Sequence, residues 1–165
     1  MTKSIDDLKA AFAGESQANR RYLAFGKKAD EEGYPQVAKL FRAAAAAETV
    51  HANNHLRALG DVKSTTENLQ TAIAGENYEN TIMYPEFIVD AESDQNKKAL
   101  NSFKYAIEAE KVHEALYREA LGSLSKDTPL VDYYVCPVCG FTHAVPFTGR
   151  CPVCSTPVER FERIS

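Results

Sequence analysis

The sequence predicts a mainly α-helical protein, in which a bundle of four long helices precedes a small C-terminal module of short strands. Three observations support this prediction. Apolar residues recur at spacings of three and four over residues 8–122, as they do on one face of a helix. A motif of glutamates and a histidine occurs twice in the same stretch. Two C-x-x-C pairs then follow in a segment rich in turn residues.

Composition limits the classes of protein to which the chain can belong. Its 165 residues and 44% apolar content fit one domain with a small appendage. The net charge of −4 and the lack of a long basic run predict no nucleic-acid partner and no anionic membrane partner. No run approaches about 18 consecutive apolar residues, and no long apolar segment opens the chain, so we expect a cytoplasmic protein.

Capping and stop signals divide the helical region into four helices. The first helix is predicted to have its cap at Ser4–Asp7 and its stop at Glu32–Pro35. The second is predicted at about 36–59 and ends at Gly60. The third runs from a capping box at Ser64–Glu67 to about Ala91, and the fourth is capped by Asp94 and ended by Gly122. The turns between these helices are short, which is typical of a bundle.

The doubled motif places four glutamates and two histidines on the inward faces of the helices. Its members are Glu15, Glu48 and His51 in the first copy and Glu76, Glu110 and His113 in the second, at offsets of 61 or 62 residues. Each histidine closes a Glu-x-x-His, a spacing that projects both side chains from one helix face. Phe41 and Phe103 share these faces, and buried carboxylates are very costly without a counter-charge. We therefore predict a site for two divalent metal ions, in which oxygen-rich ligands favour iron or manganese over zinc.

The two copies differ by one inserted residue. Asn19 and Asn80 keep the offset of 61, whereas Tyr22 and Tyr84 are 62 residues apart. An extra residue inside a helix is commonly absorbed as a π-bulge, often at a functional site. We expect such a bulge between Asn80 and Tyr84, directly before Pro85.

Three further residues are candidates for a role at this site. Glu79 lies on the face of the lone glutamate of the second copy, and its counterpart in the first copy is Ala18. It is therefore a carboxylate present on one side only. Tyr22 and Tyr84 fall about two turns beyond the lone glutamate of each copy. They are either ordinary core aromatics or hydrogen-bonding partners of the ligand carboxylates.

The C-terminal segment carries four cysteines in two knuckles, namely Cys136, Cys139, Cys151 and Cys154. Thiolates in this spacing predict a tetrahedral S₄ site that takes either zinc or iron. Without an export signal, the pairs favour a metal site in a reducing compartment over disulfides. A module of about 30 residues cannot rely on a hydrophobic core alone, so we expect the metal to stabilise it.

These signals predict three segments along the chain. They are a helical dimetal domain at 1–123, a linker at 124–132 and the metal-bound module at 133–165. The two remaining histidines, His55 and His143, lack such a context, and we expect them to be surface or structural residues.

The chain resembles the rubrerythrin family along nearly its whole length. The matching stretches are AFAGESQANRRY, ETVH, AGENYENTIMYPEF, AEKVH and the CPVCG…CPVC tail. The resemblance implies a ferritin-like diiron four-helix domain with a C-terminal rubredoxin-like domain. It implies that the doubled motif binds two irons and that the four cysteines bind a third. The ligand chemistry also allows manganese or zinc at the first two positions and zinc at the third. The resemblance also implies that Glu79 is the family's extra glutamate, which one iron exchanges with His51 as the redox state changes.

The same resemblance implies a peroxide reductase of oxidative-stress defence. A diferrous site would reduce hydrogen peroxide to two waters, with electrons arriving through the Fe(Cys)₄ centre from rubredoxin or an NAD(P)H-dependent reductase. Glu79, Tyr22 and Tyr84 are the candidate catalytic residues, as sources of protons. Two other functions stay open, a ferritin-type ferroxidase that handles or stores iron and a non-catalytic iron or redox sensor. The electron-donating tail argues against storage.

The connection between the second and third helices departs from the ferritin-like pattern. His51 and Glu76 are only 25 residues apart, whereas ferritin-like bundles cross here with a long connection. About five loop residues reach at most about 18 Å, while the flanking helix ends require about 28 Å. Either the bundle is a plain up-and-down one, or helices one and two pair with helices three and four of another chain. We predict a swapped homodimer, because this arrangement keeps the pseudo-symmetric ligand geometry.

Overall fold

The computed structural model describes residues 2–165 and divides them into two units. The N-terminal unit ends at Lys63, and the C-terminal unit covers Ser64–Ser165. The helices are α1 (Lys3–Glu31), α2 (Pro35–Leu59), α3 (Thr65–Tyr78), a π-helical segment (Glu79–Met83), α4 (Tyr84–Ser93) and α5 (Lys97–Gly122). The strands are β1 (Tyr133–Val135), β2 (Thr142–His143) and β3 (Glu162–Ile164), with a short 3₁₀ helix at Val158–Arg160.

The N-terminal unit is a hairpin of α1 and α2 that packs closely through small residues. Ala38, Ala45 and Ala52 recur every seven residues along α2 and are all buried. A Cβ added at Gly26 of α1 would lie 3.4 Å from the carbonyl oxygen of Ala38. Small side chains on both helices therefore let the two backbones approach, which fixes the level at which α1 and α2 face each other.

The starts of the first and last helices differ from the sequence prediction. Helix α1 begins at Lys3 with Thr2 as its N-cap and no side-chain cap, so the predicted cap at Ser4–Asp7 is wrong. The predicted cap at Asp94 is also wrong, since this residue closes α4 by donating its N–H to Asp90. Asn96 caps α5 instead, and its side chain accepts a hydrogen bond of 3.2 Å from the backbone N–H of Ala99.

The middle helix of the chain confirms both the predicted capping box and the predicted bulge. Ser64 and Glu67 form the reciprocal cap at the start of α3. The helix then passes through the π-helical turn at Glu79–Met83 and resumes as α4 with Pro85 in its first turn. Proline is tolerated there because its missing N–H falls where the bulge already interrupts the hydrogen-bond ladder.

The C-terminal module is a three-stranded antiparallel sheet in the order β2-β1-β3. Its core consists of cysteines and one aromatic ring: Cys136, Cys139, Cys151 and Phe141 are buried together. Tyr105 and Val112 of α5 pack against this core. A core made largely of thiols depends on the metal that the thiols bind, because few apolar atoms are available to replace it.

Two element bounds fall next to the ends of the predicted linker. Helix α5 ends at Gly122 and β1 begins at Tyr133, while the division at 1–123, 124–132 and 133–165 stays a prediction. Within residues 2–165, none of the helices combines the length and the apolar character that a membrane span requires.

Candidate metal centres

The first triad consists of Glu15 from α1 and Glu48 and His51 from α2. One ligand atom from each residue lies within 4.8 Å of the others. The Nδ1 atom of His51 lies 2.9 Å from Oε2 of Glu48. The hairpin thus brings together the three predicted ligands of the first copy, although the His51 side chain is 54% exposed.

The second triad repeats this arrangement in the C-terminal unit. Glu76 comes from α3, and Glu110 and His113 come from α5. Their ligand atoms also lie within 4.8 Å of one another, with Nδ1 of His113 2.6 Å from Oε2 of Glu110. The His113 side chain is 27% exposed, so this triad is more enclosed than the first.

The electrostatics of the second triad indicate a site that favours a cation. Burial, a hydrogen bond with Glu110 and repulsion from it raise the pKa of Glu76 to about 7. The hydrogen bond from His113 lowers the pKa of Glu110, and the same bond raises the pKa of His113. Without a metal ion, the closely spaced carboxylates and the histidine of this triad therefore retain protons. A divalent cation would relieve this repulsion, so the donor set fits the oxygen- and nitrogen-ligated metals predicted from the motif.

Glu79 lies in the π-helical segment beside the second triad but is not one of its three members. Burial and the negative charge of Glu110 raise the pKa of the Glu79 carboxyl. The residue is half-buried, and no carboxylate occupies the equivalent place, Ala18, in the first copy. The one-sided glutamate is therefore close enough to the second triad to feel its charge, and its role as a ligand stays a prediction.

The two predicted tyrosines occupy matching aromatic clusters. The ring of Tyr22 contacts Phe25 and Phe41 at centroid distances of 6.4 and 6.1 Å. The ring of Tyr84 contacts Phe87 and Phe103 in the other unit, both at 6.2 Å. Burial and then the charges of the nearby glutamates raise the pKa of Tyr84. Tyr84 is thus a protonated phenol in the field of the second triad.

A third tyrosine near the second triad was missed by the sequence analysis as a site residue. Burial, followed by the charges of Glu76 and Glu110, raises the pKa of Tyr117. Tyr117 lies one helical turn beyond His113, and the equivalent position in the first copy is His55, which is half-buried. The signal was available, because a residue four positions after a ligand on the same helix faces the same side. The other histidine, His143, bonds through Nδ1 to the carbonyl of Val145, as expected of a structural residue.

A polar network holds the π-helical segment against α5. Asn80 is 9% exposed, and its amide donates to Oε2 of Glu114 at 3.1 Å. Oε1 of Glu114 accepts a hydrogen bond from the Asn77 amide at 3.3 Å and another from Arg118 at 2.6 Å. The counterpart of Glu114 in the first copy is Ala52. The network is therefore a second asymmetric feature next to Glu79, and one that sequence reasoning did not find.

Replacing Glu114 by alanine is expected to lower the urea midpoint of unfolding, since it leaves the buried Asn80 amide without its acceptor. The measurement is urea unfolding followed by circular dichroism. Glu108→Ala is the matched control on the same helix, because the Glu108–Lys111 pair is exposed and should contribute less than about 1 kcal/mol. Equal losses from the two variants would contradict the structural role of the network.

The tetracysteine cluster comprises the four predicted thiols, whose sulfur atoms lie within 4.8 Å of one another. Sγ of Cys136 is 3.5 Å from Sγ of Cys154, and Sγ of Cys139 is 3.4 Å from Sγ of Cys151. All four residues are free thiols, which agrees with a metal site and not with disulfides. Four converging sulfur atoms form the donor set that tetrahedral iron or zinc prefers.

The two knuckles share a backbone pattern, but the pKa of a cysteine thiol is raised in the first and lowered in the second. In the second knuckle, burial acts to raise the pKa of Cys154, but hydrogen bonds from Thr156 bring it down to about 6. The Oγ1 atom of Thr156 lies 3.0 Å from Sγ of Cys154. In the first knuckle, burial raises the pKa of Cys139. One cysteine is therefore prepared as a thiolate before any metal arrives.

Ser155 occupies a backbone conformation that favours glycine. Its φ of 60° matches the φ of 79° at Gly140, the equivalent position of the first knuckle. A side chain in this region costs about 1–2 kcal/mol, partly offset by the greater unfolded-state freedom of glycine. We therefore expect Ser155→Gly to stabilise the module by about 0.5–1 kcal/mol in thermal unfolding. Ser123→Gly, where φ is −115°, is the control, and an equal gain there would exclude relief of strain as the cause.

Comparisons with known proteins show which family the chain resembles. A family model described as rubrerythrin matches residues 6–121. Rubrerythrin-2 of Clostridium acetobutylicum is 38% identical over 96% of this chain and 95% of its own length. Nigerythrin of Nitratidesulfovibrio vulgaris is 36% identical over 96% of this chain and 85% of its own length.

Solved structures show the same relationship. A structure of nigerythrin in a mixed-valence state superimposes with a TM-score of 0.59 at 36% identity, covering 99% of this chain and 87% of that protein. A second nigerythrin structure, described as fully reduced and all ferrous, superimposes with the same score at 35% identity. The fold is therefore the predicted one, ferritin-like helices with a rubredoxin-like module. The chain belongs to the rubrerythrin family of diiron oxidoreductases.

Proposed function

We propose that this protein reduces hydrogen peroxide to water at a diiron site, with electrons that enter through the tetracysteine cluster. One observation carries the proposal. The chain holds two matched triads, each with two carboxylates and one imidazole, together with a cluster of four thiols. Two triads supply the ligands of a dimetal carboxylate site, and a one-electron S₄ iron centre supplies a relay that storage of iron does not need.

The proposed ligands divide among the three metal ions. The two irons of the diiron site would be held by Glu15, Glu48, His51, Glu76, Glu110 and His113, with Glu79 as the additional carboxylate, and the third iron by Cys136, Cys139, Cys151 and Cys154. Two ferrous ions, when bound, supply the two electrons that the cleavage of one O–O bond requires. The reaction also consumes two protons for each peroxide, and the chain has to deliver them.

Glu79 and Tyr84 are the proposed proton sources of the second triad, and Tyr22 is the proposed equivalent in the first. Burial and a neighbouring carboxylate raise the pKa of Glu79, so this residue keeps its proton at a higher pH than an exposed glutamate does. Tyr84 retains its phenolic proton for the same reasons. The shift brings the pKa of Glu79 closer to the working pH, where an acid donates a proton more effectively to a departing oxygen.

We further propose that the complete diiron site forms between two copies of the chain. His51 lies eight residues before the end of α2, and Glu76 lies eleven residues after the start of α3. In a ferritin-like bundle with the metals at one level, these helix ends span about 28 Å, which five loop residues reaching at most about 18 Å do not bridge. Phe25, Leu40 and Val50 are 47%, 66% and 57% exposed, and exposed apolar groups on a helix hairpin mark an interaction surface.

Light scattering combined with metal analysis tests the swapped dimer. We expect the wild-type protein to be a dimer that binds two irons per chain at the carboxylate ligands. Inserting about 12 Gly/Ser residues after Val62 adds enough reach to close the site within one chain, so this variant is expected to form fully loaded monomers. A wild-type monomer with a full complement of metal would contradict the swap.

Rapid mixing tests peroxide reduction directly. Protein that has been reduced anaerobically with dithionite is mixed with equal concentrations of hydrogen peroxide or dioxygen, and reoxidation is followed by absorbance. We expect peroxide to be the faster oxidant. A faster reaction with dioxygen would favour the iron-handling ferroxidase instead.

The electron donor is proposed to be rubredoxin or an NAD(P)H-dependent reductase. The rubredoxin-like module supplies the observation behind this proposal, because its four cysteines are free and clustered. Thiols in this state persist in a reducing compartment, so we also propose that the protein works in the cytoplasm.

A further inference from the structure

The C-terminal module packs directly onto the helix that carries the second triad. Gly140, the residue after Cys139, lies against α5 so closely that an added Cβ would sit 3.7 Å from Cβ of Ala109. Val112 of the same helix packs against the cysteine core. Ala109 and Val112 directly precede the triad residues Glu110 and His113. Helix α5 therefore contacts the cysteine module through residues that are next to the triad ligands in the sequence.

A hydrogen-bond chain crosses this contact. The Nε2 atom of His113 lies 2.9 Å from Oγ1 of Thr142, which in turn donates to the carbonyl oxygen of Gly140 at 3.0 Å. Because the only hydroxyl hydrogen of Thr142 goes to this carbonyl, Oγ1 accepts from the ring, and Nε2 must carry the proton. Loss of the proton that Nδ1 shares with Glu110 would then leave the lone pair on Nδ1, the atom that faces the triad. The hydroxyl thus selects the tautomer that binds metal.

The first triad has no equivalent contact within its own unit. The hydrogen bond of His51 is the one between Nδ1 and Glu48, and Nε2 of His51 has no hydrogen-bond partner in the described part of the N-terminal unit. One imidazole is therefore held by the module, and the other is not. Like Glu79 and Glu114, this contact is found in the second copy of the motif and not in the first.

We propose that Thr142 is a positioning residue that fixes His113 as a metal ligand and joins it to the tetracysteine cluster. The electron-transfer part of this inference rests on the proposed function. With iron bound at both centres, the tetracysteine thiolates would hold a one-electron donor, and two transfers from it would restore the two electrons that each peroxide removes. The route runs from Cys139 through the adjoining Gly140 carbonyl, the Thr142 hydroxyl and the His113 ring. Hydrogen bonds on ligand histidines commonly change metal affinity by about 10–100-fold.

Cobalt binding tests the positioning role without any turnover. The tetracysteine cluster is filled with zinc, and Co(II) is titrated into the carboxylate–histidine site while its visible d–d absorption is recorded. Thr142→Val, which keeps the shape and removes the hydroxyl, is expected to weaken Co(II) binding about 10-fold. Thr142→Ser should bind as the wild type does. Thr71→Val is the control, since Thr71 also bonds a backbone carbonyl but lies on the exposed side of α3.

Internal electron transfer tests the redox role. After dithionite reduction of the iron-loaded protein, one equivalent of peroxide is added, and the return of the Fe(III)(Cys)₄ absorbance is followed. The rate is expected to fall about 10-fold in Thr142→Val and to recover in Thr142→Ser. An unchanged rate would overturn the electron route.

The outcomes separate this inference from the proposed function. Unchanged cobalt affinity in Thr142→Val overturns the positioning role, and so does a Thr142→Ser variant as weak as Thr142→Val, because packing would then be the cause. Thermal unfolding of the zinc-loaded variants confirms that each is folded. If the wild-type protein fails to react with peroxide, the proposed function is wrong, while the cobalt titration still decides the role of Thr142.

Discussion

Replacing Cys136 by serine is expected to abolish repeated turnover of hydrogen peroxide while leaving a single oxidation of the reduced protein intact. Cys136 is 2% exposed and is one of four converging sulfur donors. Its loss removes a thiolate from the S₄ site, and a structural metal centre lacking one ligand does not hold its metal in a defined geometry. Turnover with an external electron donor should fall at least about 100-fold, since the route of entry is lost. The reaction of prereduced protein with one equivalent of peroxide should persist, because the carboxylate and histidine ligands are unchanged.

A metal substitution provides the matched control for this variant. Zinc in the intact tetracysteine cluster preserves the fold of the module, because zinc accepts the same tetrahedral ligands, but it transfers no electrons. The zinc-substituted protein with iron in the diiron site should therefore behave as Cys136→Ser does. Steady turnover at the rate of the iron-loaded protein would show that electrons enter by another route and would contradict the relay.

The parts of this fold that could be predicted depend on the spacing of residues that are close in the sequence or repeated along it. The π-helical turn at Glu79–Met83 followed from an offset that changes from 61 to 62 residues between Asn80 and Tyr84. An insertion in a repeat is visible without any knowledge of packing, and a helix that keeps its ligands in register has to absorb it as a bulge. The ligand triads followed from the same arithmetic, because residues three apart on a helix share a face.

The features that were missed depend on contacts between distant residues or on competition between neighbours. Glu114 and Arg118 read as an ordinary exposed pair four residues apart, and only the approach of Asn80 makes this carboxylate the centre of a network. The bond between His113 and Thr142 joins residues 29 apart in the chain. At the start of α5, Asp94 and Asn96 are both competent caps, and the intervening Gln95 with a φ of 54° gives the cap to Asn96.

Metal loading is expected to reverse the pH dependence of stability between about pH 5 and 7.5. The pKa of Glu76 is about 7 in the folded, metal-free protein, above its usual 4.5, and the pKa of His113 is also raised. The folded state therefore binds more protons than the unfolded state in this range, and the stability that these groups contribute is lost as pH rises. The melting temperature of the metal-free protein should fall from pH 5 to 7.5.

Bound metal changes the sign because the ligands have to lose their protons before they coordinate. With free Co(II) at about 100 times its Kd, each ion adds about 2.7 kcal/mol to the free energy of unfolding, and this gain grows as Glu76 and His113 deprotonate. The melting temperature of the loaded protein should therefore rise over the same pH range. Calorimetry with and without Co(II), with zinc in the tetracysteine cluster, measures both slopes. Glu76→Gln is the control, since it removes the titrating carboxyl, and it should flatten the metal-free slope and weaken the reversal. Parallel slopes in the wild-type protein would show that the second triad does not bind the metal.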